Sequence, residues 1–220
     1  MSDQQLRELE RRFQESGSTQ DEAALLRARV QVGQLDELAL SLAAWLGCEA
    51  AQASLEWNRS TPSADEWVGR LGEWGVEAPA RAALALATAT FRSWEASATD
   101  GYLATTRRDL GRRALEAAQV WVVEPSRGNA VEAREAANTL KQFGKIGPAK
   151  FKDDKAWFAP GLACRAVSGT SAASVAALAK RLMRVASQQL GEELARSTVL
   201  SALKPWALGY SDPLREESQD

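Results

Sequence analysis

The chain has 220 residues, 45% of them hydrophobic and 25% charged, with a formal net charge of -2. That length holds one large domain or two small ones around a real core, and that charge gives no global pull toward nucleic acid or an acidic membrane. Histidine is absent, which removes the usual general base near neutral pH, the commonest metal ligand, and every Ser–His or Cys–His nucleophile pair.

Cys48 and Cys164 lie far apart and form no C-x-x-C spacing, so neither a disulfide framework nor a zinc site is expected. Both read as reduced thiols of a reducing compartment. Residues 1–23 are mostly polar and lack the basic-then-apolar order of a signal peptide. The longest weakly charged stretch, 82–91, covers about half a membrane span. The expectation is a cytoplasmic protein with no membrane partner, no metal and no cofactor.

Apolar spacing is helical almost throughout. Leu6, Leu9 and Phe13 mark a first helix ended by Gly17. TQDE at 19–22 has capping-box spacing and opens a second helix on Ala24, Leu25, Ala28 and Val32, with Gly33 as its C-cap. Leu35, Leu38, Leu42 and Trp45 give a third, closed by Gly47, and 48–57 reads as a short fourth. NRSTPS at 58–63 is the clearest break.

Ser63 and Glu66 form a second capping box, opening a helix through Trp67, Leu71 and Trp74 that Gly75 closes. Pro79 suits the first turn of a helix over 80–94 carrying Leu84, Phe91 and Trp94, with so little charge in its middle that burial on most sides is expected. SATDGYLATT at 97–106 reads as a loop. Leu110, Ala114, Ala118, Trp121 and Val122 then share one helix face opposite Arg112, Arg113 and Glu116. Asn129 and Glu132 form a third capping box for a helix to about 143, and 157–167 reads as helical with Pro160 near its start. Val175, Leu178, Ala179, Leu182, Val185, Ala186 and Leu190 make a strong apolar face opposite Lys180, Arg181, Arg184 and Gln188. A last helix over 194–203 is stopped by Pro205, leaving a frayed polar tail.

No catalytic constellation stands out. Asp153 and Asp154 are adjacent on a loop, which does not make an acid/base pair. Two basic segments do draw notice. KQFGKIGPAKFKDDK at 141–155 holds five of the seven lysines, among them Lys145, Lys150, Lys152 and Lys155, interleaved with Phe143, Phe151, Trp157 and Phe158. Basic and aromatic side chains together can anchor a protein partner or grip single-stranded nucleic acid; a solvated loop over tucked-in aromatics is the third reading. The run RRDLGRR places Arg107, Arg108, Arg112 and Arg113 around a helix start, where cations oppose the macrodipole, so they are expected to meet acidic groups within the fold or on a partner. Among eight tryptophans, Trp57, Trp67 and Trp74 flank the 58–63 break, either as packing across it or as an exposed patch.

The stretch LRELERRFQESGSTQDEAALLRARVQVGQLDELALSLAAWLG (6–47) resembles the opening of a group of helical proteins from myxobacteria and related bacteria. RRALEAAQVW, EAREAAN, LACRAVSG and SVAALAKRL, within 112–182, are similar to the helical core of bacterial immunity proteins that neutralise polymorphic toxins. The resemblance implies an all-α protein that acts by binding another protein.

Together these readings predict an all-α protein of about ten helices in stacked antiparallel pairs, as a helical bundle or a short solenoid. A four-helix module is expected over 1–58, a second helical domain over 63–209 and a polar tail over 210–220. The expected function is non-catalytic protein binding of immunity, antitoxin or adaptor type, with Lys145, Lys150, Phe151, Lys152, Lys155, Trp157, Arg107, Arg108, Arg112 and Arg113 at the interface. The alternative is a nucleic-acid-associated accessory protein using 141–155.

Overall fold

A computed structural model describes residues 3–57, 62–98, 102–146 and 155–216. Among them are twelve α-helices and one 3-10 helix and no strand. No helix among the described residues is long and apolar enough to cross a membrane. The chain divides into two compact units, Met1–Thr61 with Leu203–Asp212, and Pro62–Ala202 with Pro213–Asp220.

In the first unit α1 (Asp3–Ser16) and α2 (Thr19–Gln31) pack through Leu6, Leu25 and Ala28, with Leu9, Phe13 and Val32 closing over them. α3 (Glu37–Trp45) and α4 (Glu49–Ser54) follow, and α4 packs on both α2 and α3. The Ser54 hydroxyl donates to the Ala23 carbonyl at 3.0 Å, tying α4 to α2. Gly17, Gly33 and Gly47 all hold left-handed φ angles, between 58° and 80°, where a β-carbon is costly. The cap of α2 sits one residue earlier than the TQDE pattern suggests: the Ser18 side chain accepts from the Asp21 amide.

Residues 203–212, expected to go with the later helices and tail, belong to the first unit. Leu203, Ala207 and Leu208 are buried, and the Tyr210 hydroxyl donates to Glu22 at 3.0 Å. Pro205 does not stop its helix. α11 (Glu192–Ala207) runs through it and ends in a Schellman arrangement, with Gly209 at φ 67° and the Tyr210 amide on the Pro205 carbonyl.

The second unit is built around α6 (Glu77–Ser97), buried from Ala78 to Ala87 and again at Thr90, Phe91 and Trp94. Its alanines allow close approach of neighbours. α9 (Ala159–Val167) and α10 (Ala172–Leu190) pack against it, as does α7 (Tyr102–Val123). α7 pairs with α8 (Arg127–Ile146), and α9 contacts both. α5 (Ala64–Gly69) and the 3-10 turn Arg70–Trp74 lie on α10, and α12 (Pro213–Glu216) lies on α7. A solenoid joins only successive repeats. Here α6 gathers helices distant in sequence, so this unit is a bundle.

Three local expectations change. α7 begins at Tyr102, so YLATT is helix rather than loop. The arginines from Arg107 onward then lie a full turn or more beyond the helix start, and the expected conflict with the macrodipole disappears. α8 starts at Arg127, with Ser126 rather than Asn129 accepting an amide, from Asn129 itself at 3.1 Å. It also continues to Ile146, past the expected end near 143 and through Gly144, so Lys145 is helical. Gly144 does not break α8. A β-carbon there would come within 2.6 Å of the Phe158 ring, so glycine permits a close approach.

Candidate docking groove

The expected interface residues separate sharply by burial. Arg107 is 7% exposed and Trp157 is fully buried. The Arg107 guanidinium lies between two indoles, 4.8 Å from the Trp94 ring centre and 4.6 Å from that of Trp157. The Trp157 ring nitrogen donates back to the Arg107 carbonyl at 3.2 Å. Phe158 and Phe143 meet the Trp157 ring edge-on at 4.5 and 5.9 Å. A desolvated cation–π contact contributes about 2 kcal/mol, so this cluster welds α6, α7 and α8 to the start of α9. Arg107 and Trp157 therefore hold the fold and present nothing to a partner.

Arg108 is half-buried and donates to the Ala98 carbonyl at 2.9 Å. Arg112 is exposed but pairs with Glu95 at 2.7 Å, and Arg113 is exposed. The run is thus shared between core, internal pairing and solvent. Of the lysine segment, Lys141 and Lys155 are exposed. Lys150, Phe151, Lys152 and the Lys145 side chain lie outside the described residues. Trp67 is buried beneath the Arg196 guanidinium at 5.4 Å, while Trp57 and Trp74 are half-buried.

A groove of about 560 Å³ opens where α8, α9 and α10 meet. α8 supplies Ala137, Leu140 and Lys141. Phe158, Gly161, Leu162 and Arg165 come from α9 and its cap, with Lys155 just before them, and α10 supplies Arg181, Arg184, Val185 and Gln188. The floor is apolar. Among the described residues five cations ring it and no carboxylate lines it. Arg184 is paired with Asp65 of α5. For Lys141, Lys155, Arg165 and Arg181 no ion pair forms among the described residues. Converging like charges raise the energy of the empty groove, and an anionic occupant relieves that cost. The volume falls in the range of ordinary ligand and side-chain pockets.

Each wall follows from local sequence. The face of α10 that bears Val175, Ala179, Leu182 and Ala186 is buried, which turns Arg181 and Arg184 outward. On α9 the buried Leu162, Ala163 and Ala166 leave Arg165 exposed at the rim. Pro160 in the first turn of α9 fixes its start directly after the Trp157 cluster, and so sets the position of Phe158 and Lys155.

Cys164 is not set up as a nucleophile. Burial pushes the Cys164 thiol up to about 12, and its Sγ donates to the Ala114 carbonyl at 2.9 Å. A protonated, buried thiol is inert near neutral pH. Among the described residues no three Cys, Asp or Glu side chains gather as a metal cage.

Sequence reasoning reached the groove through the 141–158 segment, which supplies Lys141, Lys155 and Phe158. It assigned Arg181 and Arg184 to the solvent face of their helix and gave Arg165 no role of its own. The available signal was spacing: Arg181, Arg184 and Gln188 recur at i, i+3 and i+7, but nothing local says that they face Lys141. No protein family matches the chain, and neither curated proteins nor solved structures give a match.

Proposed function

We propose that this protein is a non-catalytic, cytoplasmic binding protein, of immunity, antitoxin or adaptor type, that docks one protein partner through an acidic surface seated in the α8–α9–α10 groove. The observation that carries this reading is the ring of five cations over an apolar floor, with no lining carboxylate among the described residues. Anchors of that kind combine a desolvated centre with a charged rim. Nucleic acid fits less well. Stacking needs exposed aromatic faces, yet among the described residues the groove's one aromatic is the half-buried Phe158, and Trp157 is sealed in the core. A net charge of -2 also gives no long-range attraction for a polyanion.

The test is affinity capture from nuclease-treated cells that express the protein. Wild type is compared with Lys141→Glu/Arg181→Glu and with Arg112→Glu/Arg113→Glu. The expected result is one stoichiometric protein lost only from the groove variant, with its melting temperature unchanged. Recovery that the groove variant does not alter, or that nuclease abolishes, overturns the reading.

A further inference from the structure

Phe158, Gly161, Leu162 and Arg165 follow at i, i+3, i+4 and i+7, so they form one face of α9 about 10 Å long. α9 packs against both α8 and α10, which share no comparable packing with each other. The groove is therefore a trough, with α9 as its floor and two helices as its walls. Lys141 stands on the α8 wall and Arg181 on the α10 wall, while Lys155 and Arg165 stand toward opposite ends of α9.

We infer that the occupant of this trough is an acidic amphipathic α-helix of the partner, lying along α9 with its apolar stripe down and Asp or Glu along both flanks. This rests on the docking reading above and names the partner's chemistry. Charge complementarity requires carboxylates on both flanks, because the cations stand on both walls. The apolar lining of Phe158 and Leu162 on the floor, with Leu140 and Val185 at the foot of the walls, requires apolar side chains between those flanks. Helical form follows from hydrogen bonding. The walls and floor are helices whose backbone groups are already paired, so an extended segment would find no sheet edge for its own amides and carbonyls. A helix satisfies these internally, and its diameter of about 10 Å suits the spacing of packed helices. Gly161 lets the backbone come close, and a β-carbon there would meet only Leu140, at an ordinary 3.5 Å. Gly161→Met should therefore fold while filling the trough.

A phage library of random peptides about 16 residues long, enough for some four turns, is panned on the full chain. Enriched peptides are synthesised and titrated against wild type, Lys141→Glu/Arg181→Glu and Gly161→Met. The expected peptides carry apolar residues at i, i+3 or i+4, and i+7 between Asp or Glu flanks, and gain helical dichroism on binding. Both variants should weaken them by at least about tenfold, a step of about 1.4 kcal/mol. Acidic peptides without that spacing, bound equally well by Gly161→Met, overturn the helical occupant and leave acidic docking standing. Peptides without acidic residues, indifference to the charge reversal, or no enrichment overturn both. A single-stranded oligonucleotide that outcompetes the enriched peptides also overturns both.

Discussion

Gly111 sits inside α7, where alanine would ordinarily stabilise a helix by about 0.5–1 kcal/mol. Here a β-carbon would fall inside the van der Waals envelope of the Phe91 ring. That ring is 1% exposed and stacks on Trp94 at 5.3 Å, so it has nowhere to swing. Overpacking of this kind costs about 1–3 kcal/mol, which outweighs the propensity gain. Gly111→Ala should therefore lower unfolding stability by about 1–2 kcal/mol in a urea titration. Combined with Phe91→Leu, it should cost less than the two single changes added together. A neutral or stabilising Gly111→Ala would show that the ring yields. The glycine lies within RRDLGRR, and the same packing explains why that run is not a uniform basic surface. Arg107 and Trp157 looked available in the sequence because each carries a polar group. Their mutual stacking depends on residues fifty positions apart meeting in the core, which no local pattern records.

At the scale of an element, helix faces were readable and helix starts were less so. The α10 face was largely foreseen: Val175, Ala179, Leu182, Val185 and Ala186 are buried and Leu178 and Leu190 half-buried, because apolar periodicity is itself the cause of burial. Helix starts depend on which of several adjacent hydroxyls accepts the first free amide. Around α2 the pattern fits Ser18 with Asp21 as well as Thr19 with Glu22, and the structure uses Ser18, at 3.1 Å from the Asp21 amide. Hydroxyls of Ser16 and Ser18 also donate to the Asp21 carboxylate and, together with Arg12, hold it below its ordinary range against the effect of desolvation. Losing a cap costs about 1 kcal/mol. Ser18→Ala should therefore lower the unfolding midpoint in denaturant, whereas Thr19→Ala should change it little. Equal losses at the two positions would place the cap where the sequence pattern put it. Glycine and proline misled for a related reason. Gly144 and Pro205 both lie within helices, because a close ring contact in one case and a later Schellman turn at Gly209 in the other set the outcome.

For the whole molecule, the all-α class was legible because helical periodicity recurs without a competing strand pattern. The groove was not. Its cations Lys141, Lys155, Arg165, Arg181 and Arg184 are spread over three helices and their connections, and a net charge of -2 conceals a local excess. Arg181 and Arg184 looked like solvent decoration on their own helix, and Lys141 and Lys155 like members of a separate basic segment. Only the packing of α9 between α8 and α10 turns them toward one another. The central claim is that a partner sits on this trough rather than on the arginine face of α7. Site-specific photo-crosslinking tests it most directly. A benzophenone side chain replaces exposed Gln188 in the groove or, separately, exposed Glu116 on α7, and the protein is irradiated in cells that express it. The account predicts one protein adduct from position 188, lost when Lys141→Glu and Arg181→Glu are added, and none from position 116. An adduct from 116 with none from 188 would contradict it.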